Sequence, residues 1–237
     1  MVDSAPKVRR SPRMSLNSLA QYATATASQR ESILRDQKYP PEFKQMWYKE
    51  ATNTIVRFLL SEDWDEEILV RSIDRFMAAG GSDHEQKRLR YNAEALQGFL
   101  GGCADITLDS LSIERGPKKA TLSIEGVEIS VRPELVLSGS YRGKRVGGGL
   151  KLYLSRSDRL TDESAAVVST LVHRYSEVSS SRTRTVSKRH CQVMDVFSGD
   201  VYAAPNAVVR RMRDLEASCR EIALRWQSIT PPRRRRP

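Results

Sequence analysis

Apolar positions along this chain follow two periods, and the change falls near Gly101-Gly102. Up to Leu100 they recur every three or four residues, the spacing that lines one face of an α-helix. Ser15 opens a short segment through Leu19, and Ser28-Gln29-Arg30-Glu31 has the spacing of a capping box ahead of Ile33 and Leu34. Tyr39-Pro40-Pro41 stops that helix, because a residue before proline is pushed out of the helical region. Phe43, Met46, Trp47, Ala51, Ile55, Phe58 and Leu59 predict an amphipathic helix of about five turns. Asp65-Glu66-Glu67 puts acids in the first turn of the next helix, where the backbone N–H groups favour negative charge. Ile68, Leu69, Ile73, Phe76 and Met77 form its face, and Gly80-Gly81 ends it. Ser82-Asp83 caps a further helix through Leu89, Ala93, Leu96 and Leu100.

Beyond Gly102 the period becomes two. Ile106, Leu108, Leu111 and Ile113 predict a strand ending at Gly116-Pro117. Thr121–Ile124 and Val127–Val131 flank Glu125-Gly126 and read as a hairpin. Leu135–Leu137 and Gly149–Leu154 continue the sheet, joined by a basic, glycine-rich turn. Thr161 or Asp162 caps a helix through Tyr175, and Ser179–Ser187 reads as a polar mobile loop. Cys191–Phe197 and Val201–Ala203 are strands, and Asn206 opens a last helix with Val209, Met212, Leu215, Cys219, Ile222 and Trp226 on its inner face. The fold class expected is α+β (or α/β): an N-terminal helical module, then a mixed β-sheet flanked by helices. The boundaries expected are a disordered basic arm at 1–14, a helical module at 15–101, an α/β core at 102–229 and a disordered Arg-rich tail at 230–237.

Composition changes this picture in one respect. At 237 residues with 39% hydrophobic and 29% charged side chains, the chain is ordinary globular material. No apolar run approaches the length of a membrane span, and no apolar stretch follows the basic N-terminus, so neither a membrane anchor nor a secretory leader is expected. Cys103, Cys191 and Cys219 are odd in number and far apart, which suits buried free thiols in a reducing, cytoplasmic setting. The formal net charge of +10 is uneven: residues 1–13 carry +3, and Arg233 to Arg236 carry +4. Such basic ends favour a polyanion through counterion release, whatever its sequence.

One constellation carries candidate chemistry. Val131-Arg132-Pro133-Glu134-Leu135-Val136 stands about fifteen residues ahead of Gly149-Leu150-Lys151-Leu152-Tyr153. This resembles the PD-(D/E)XK nuclease superfamily, especially its RecB-like members, over roughly residues 103–228. The predicted order strand, strand, strand, helix, strand is similar as well. The resemblance implies a restriction-endonuclease-like core, with Glu134 as the first acid and magnesium ligand and Lys151 as the catalytic lysine. In that family two carboxylates hold magnesium, a hard cation suited to oxygen ligands, and the lysine orients or deprotonates the attacking water. The second acid belongs two residues before Lys151, where residues share one side of a strand, and that position is Gly149. The helix signature Gln-x-x-x-Tyr is replaced by His173-Arg174-Tyr175. Glu94, Glu128 and Asp195 are the acids that a displaced site would draw on.

Without the second acid, a cationic surface is what the resemblance leaves. Arg132, Arg142, Lys144, Arg145, Arg156 and Arg159, with Arg182, Arg184, Lys188 and Arg189 from the Ser/Arg segment, are candidate contacts to a nucleic-acid backbone, and Gly147-Gly148-Gly149 offers close approach to a phosphate. The function expected is binding of DNA or RNA by a degenerate nuclease-like core, as a subunit of a bacterial DNA-processing or anti-phage assembly. The alternatives are an active magnesium nuclease with a displaced second acid, and a protein-interaction subunit docking a partner through the helices from Phe43 to Phe76. Either binding role needs no cofactor. His84, His173 and His190 lack metal-ligand spacing, so zinc is not expected.

Overall fold

A computed structural model describes residues 8–40, 47–180 and 184–231. It is an α+β fold with two mixed sheets, of three and five strands, flanked by helices. The larger sheet contains β2 (Ser112–Arg115), β5 (Leu135–Tyr141), β6 (Lys144–Tyr153), β7 (Thr185–Asp195) and β8 (Val201–Ala203) in the spatial order β2-β5-β6-β7-β8. Its pairs are antiparallel except β6–β7, which run parallel and are joined by α6 (Asp162–Ser179). The Thr161 side chain caps α6 by accepting from Ser164 N at 3.2 Å.

The hairpin β3 (Thr121–Ile124) and β4 (Val127–Ser130) does not extend that sheet. It turns at Glu125-Gly126, both at positive φ, and pairs instead with β1 (Arg13–Ser15), parallel to β4. Residues 8–14, expected as a free arm, are therefore ordered. Arg9 N donates to Lys38 O at 2.9 Å, its carbonyl accepts from Trp226 Nε1 at 3.1 Å, and Arg13 meets Glu128 at 3.3 Å. Backbone pairing outweighs the solubility of the charged side chains, which still reach water from an edge strand.

The expected helical half is split between the two sides of the sheet. α1 (Leu16–Thr24), α2 (Ala27–Lys38), α6 and α7 (Val208–Arg225) share a core with Tyr153, Cys191 and Val193. α3 (Lys49–Leu59), α4 (Glu67–Ala78) and α5 (Asp83–Gly102) cover the opposite side, against Leu135, Leu150, Leu152, Met194 and Val196. This alternation is the two-residue period of the strands: Leu150 and Leu152 face one way, Lys151 and Tyr153 the other. Both helical groups thus bury apolar surface against opposite faces of the strands.

Polar ties hold the groups in place. Lys38 is buried, and its Nζ donates to the carbonyls of Trp226 (2.8 Å), Gln227 (3.2 Å) and Ile229 (3.0 Å) just beyond α7. A cation there answers carbonyls the helix leaves unpaired. Asn92 accepts from Ala51 N at 2.8 Å and donates to Trp47 O at 2.6 Å, fixing the start of α3 on α5.

Four local expectations are corrected. The cap of α2 lies at Thr26, with Gln29 Oε1 accepting from Thr26 N at 2.9 Å, not at Ser28. Residues 106–111 are irregular: Asp109 and Ser110 adopt positive φ, so only Ser112–Arg115 pairs as a strand. The turn expected between the strands of the meander is itself strand. β5 and β6 run on to a two-residue turn at Arg142-Gly143, both at positive φ, as a tight hairpin requires. Likewise β7 begins at Thr185, inside the segment expected as a loop, whose residues 181–183 lie outside the described residues. Phe43 and Met46 of the expected long helix also lie outside them.

Candidate functional site: the Glu134–Lys151 pair and the basic hairpin

Glu134 enters β5 directly opposite Lys151 on β6, one step beyond the Leu135–Leu150 pair. The two side chains meet at 2.7 Å and are only 15% and 13% exposed. Both carboxylate oxygens are used: Oε1 accepts from Lys151 Nζ, and Oε2 accepts from Leu152 N at 2.7 Å. Lys151 Nζ also donates to Arg132 O at 2.9 Å, a carbonyl presented by the positive φ of Arg132. The spacing that resembles a nuclease site thus brings acid and lysine together, and the pair satisfies itself.

Gly149, two residues before Lys151, lies under α6. A Cβ there would stand 3.1 Å from Leu135 O, 3.5 Å from Val172 Cγ1 and 3.6 Å from Pro133 Cβ. A side chain there would press on the Leu135 carbonyl, so packing disfavours the absent acid. The acids considered as substitutes are committed elsewhere. Glu94 pairs with Arg156 at 2.7 Å on the α5 side of the sheet, and Glu128 pairs with Arg13. Asp195 is 1% exposed; its oxygens accept from Leu160 N (2.9 Å), Phe197 N (3.1 Å) and Arg159 (3.3 Å). A buried carboxylate requires such partners, and here they tie the end of β7 to the loop leading into α6. Among the described residues no group of three or more His, Cys, Asp or Glu could hold a metal ion. The residues present do not fit magnesium, and no hydrolytic step is derived from it.

The glycine run is likewise enclosed. Gly147, Gly148 and Gly149 are all buried, and a Cβ at Gly148 would stand 2.1 Å from His190 O. These glycines admit neighbouring protein, where the sequence suggested a phosphate.

The basic residues separate into distinct places. Arg142, Lys144 and Arg145 are exposed at the β5–β6 turn, and Arg184 lies beside them with its side chain against Gly147 at the start of β7. Among the described residues none of the four forms an ion pair; Arg142 stacks on the Tyr141 ring at 5.3 Å. Arg132 is exposed at the other end of β5. From Arg145 to Lys151 is six strand residues, about 20 Å. The rest are occupied: Arg156 by Glu94 and, at 4.6 Å, the Tyr91 ring; Arg159 by Asp195; Lys188 by Asn206 O at 2.9 Å; Arg189 by Asp109 at 3.0 Å. Arg182 lies outside the described residues. A single cationic ring around Glu134 and Lys151 is therefore not what the fold builds.

A cluster that the sequence did not reveal sits beneath the hairpin. His190 is fully buried, with Nδ1 2.8 Å from Ser187 Oγ and Nε2 2.9 Å from Asp109 Oδ2. Asp109 also accepts from Arg189, whose guanidinium holds its carboxyl below the usual carboxylate range. Hydroxyl, imidazole and carboxylate in line are the parts of an acyl-transfer triad, but this imidazole has no solvent surface and the carboxylate is shared with Arg189. The cluster pins the irregular segment of β7, where Gly147–Gly149 is matched by Val186–Cys191. Eighty-one residues separate Asp109 from His190, and no short-range pattern marks such a pair.

The remaining sequence candidates are structural. All three cysteines are free and buried, and burial pushes the Cys191 and Cys219 thiols up to about 12. No helix among the described residues is long and apolar enough to cross a membrane. No protein-family model matches the chain, and a search of curated proteins gives no match.

Proposed function

We propose that this chain binds the phosphate backbone of DNA or RNA through the tip of the β5–β6 hairpin, on a nuclease-like core that does not cleave. The observation that carries the reading is the group Arg142, Lys144, Arg145 and Arg184, gathered from two elements and left without acidic partners among the described residues. Cations so grouped gain from releasing the counterions of a polyanion. Support for the nuclease kinship is topological. Three antiparallel neighbours in the sheet, β2, β5 and β6, with the β3–β4 hairpin inserted between the first two, precede a helix and a strand parallel to the third, with Glu134 entering β5 and Lys151 on β6. The crowded Gly149 position favours binding over hydrolysis. By the same resemblance, the chain serves as a subunit of a larger DNA-processing or anti-phage assembly.

The test is filter binding of single- and double-stranded oligonucleotides over a salt series. The expected result is affinity that falls steeply with salt, and an Arg142→Gln/Lys144→Gln/Arg145→Gln variant that binds about tenfold or more weakly. Its salt slope is expected to shrink by about 0.9 for each duplex phosphate that the variant no longer neutralises. Salt-insensitive binding, or a variant that binds like the parent, overturns the proposal. Magnesium-dependent cleavage abolished by Glu134→Ala would replace it with the enzymatic reading.

A further inference from the structure

The helical side of the sheet holds a second basic feature, away from the hairpin tip. A cavity of about 710 Å³ opens between α3, α4 and the edge strand β2. Arg57 of α3, Arg75 of α4 and Arg115 of β2 line it, together with Asn53, Thr54 and Phe76. A smaller cavity of about 490 Å³ continues along α4 and shares Arg57 and Arg75, so these two guanidiniums stand where the two spaces meet.

The charge balance of this cleft is unusual beside its surroundings. Arg71, one turn before Arg75, is paired with Glu67, and Arg88 is paired with Glu50. Glu50 lines the cavity; its Oε1 pairs with Arg88 of α5, and its Oε2 has no hydrogen-bond partner among the described residues. Asp65 lines the smaller cavity and accepts from Glu67 N at 2.9 Å, where it starts α4. Among the described residues Arg57, Arg75 and Arg115 have no ion-pair partner. Three like charges from three elements repel one another in a concave space unless an anion sits between them. Guanidiniums present paired N–H donors that match phosphate oxygens, and the Asn53 amide and Thr54 hydroxyl add neutral donors. A ligand pocket commonly measures about 300–1,000 Å³, which is room for a short chain of phosphates and a nucleoside attached to it.

We infer that this cleft is a binding site for a small polyphosphate, whose phosphate chain bridges Arg57, Arg75 and Arg115. The chain is the recognised chemistry, whether it is carried by inorganic polyphosphate or by a nucleoside. Phe76 and the half-exposed Leu60 give the cavity an apolar wall on which a nucleoside would rest. Arg115 ties the site to the rest of the fold: it pairs with Leu135 across β2–β5, and the next residue, Gly116, donates to Glu134 O at 2.8 Å.

The experiment is isothermal titration calorimetry of the full chain with inorganic tripolyphosphate and, separately, with adenosine triphosphate. Saturable binding of tripolyphosphate, weakened about tenfold or more by Arg57→Gln, Arg75→Gln or Arg115→Gln, supports the inference. Equal affinity for both ligands assigns binding to the phosphate chain alone, and tighter binding of the nucleotide assigns the apolar wall to its base; both support it. The three arginines are exposed, so the variants are expected to unfold at the parent's midpoint without ligand, while Arg210→Gln on α7 binds as the parent does. No binding of either ligand, or undiminished binding by an Arg57→Gln/Arg75→Gln variant, overturns it. So does competition in which only oligonucleotides occupy the cleft. The triple hairpin variant separates the two sites: it is expected to lose nucleic acid and keep tripolyphosphate.

Discussion

Glu134 and Lys151 answer each other's charge at one end of β5–β6, whereas Arg142, Lys144, Arg145 and Arg184 at the other end have no acid to answer theirs among the described residues. The same two strands therefore carry both a closed ionic pair and an open cationic group. The first is nearly buried and held by the Arg132 carbonyl and the Leu152 amide; the second is exposed at the hairpin turn. Charge that a fold neutralises internally serves stability. Charge that it leaves exposed and grouped is available to a partner. Motif spacing pointed to the first end as the functional one; the proposed nucleic-acid contact lies at the second.

The strongest way to break this contrast is to restore the missing acid. Gly149→Asp puts a carboxylate where even a methyl carbon stands 3.1 Å from a carbonyl oxygen. The expected loss is about 3 kcal/mol or more in urea unfolding, from overpacking and buried charge. A stable variant that gains a magnesium-dependent rise in melting temperature would show instead that the site is open.

Next in size is Lys151→Ala, which leaves Glu134 sheltered without its cation. Unfolding is expected to become easier by about 2–3 kcal/mol, because removing one partner of a largely desolvated pair strands the other. The triple hairpin substitution, by contrast, should leave stability nearly unchanged. Equal stability losses at the two ends would erase the distinction between them.

The smallest effect concerns His173 on α6, whose side chain is buried with Nδ1 lacking a hydrogen-bond partner among the described residues. Burial lowers its pKa from the ordinary value, with Glu177 opposing the shift and Lys188 and Arg174 adding to it. The unfolded chain then binds the proton more readily than the folded one. Stability is full above the unfolded value of about 6.5 and declines as pH falls through it toward the folded value. Denaturation midpoints should therefore drop between pH 7.5 and 5.5, and His173→Gln should flatten that trend. A midpoint that rises on acidification would reverse the sign.

Much of the fold was legible along the chain. Gly80-Gly81, the Ser82 cap and the 3.6-residue period of α5 are local signals, as are the β3–β4 turn and the alternation along β6 and β7. What escaped was assembly. Nothing local shows that Arg13–Ser15 pairs with β4, or that Arg142-Gly143 is the whole turn of a long hairpin. The strands on either side of that turn carry glycine and charge in place of β-branched residues, so their pattern resembled a loop. At the candidate site the opposition of Glu134 and Lys151 could be read from spacing, since strand partners follow from register. The isolation of that pair could not, because it depends on a carbonyl held by one residue's positive φ and on the burial of both side chains.

The sequence by itself determined most of the helices and strands, their order, and the burial of the three thiols, because these follow from periodicity, caps and turn residues acting over a few positions. Tertiary structure alone decided which charges meet. It placed Val172 over Gly149, committed Asp195 to Arg159, and left the hairpin cations and Arg57, Arg75 and Arg115 without ion-pair partners among the described residues. The reason is physical: a charge acts through distance and burial, and residues far apart in the chain acquire both only when the layers pack.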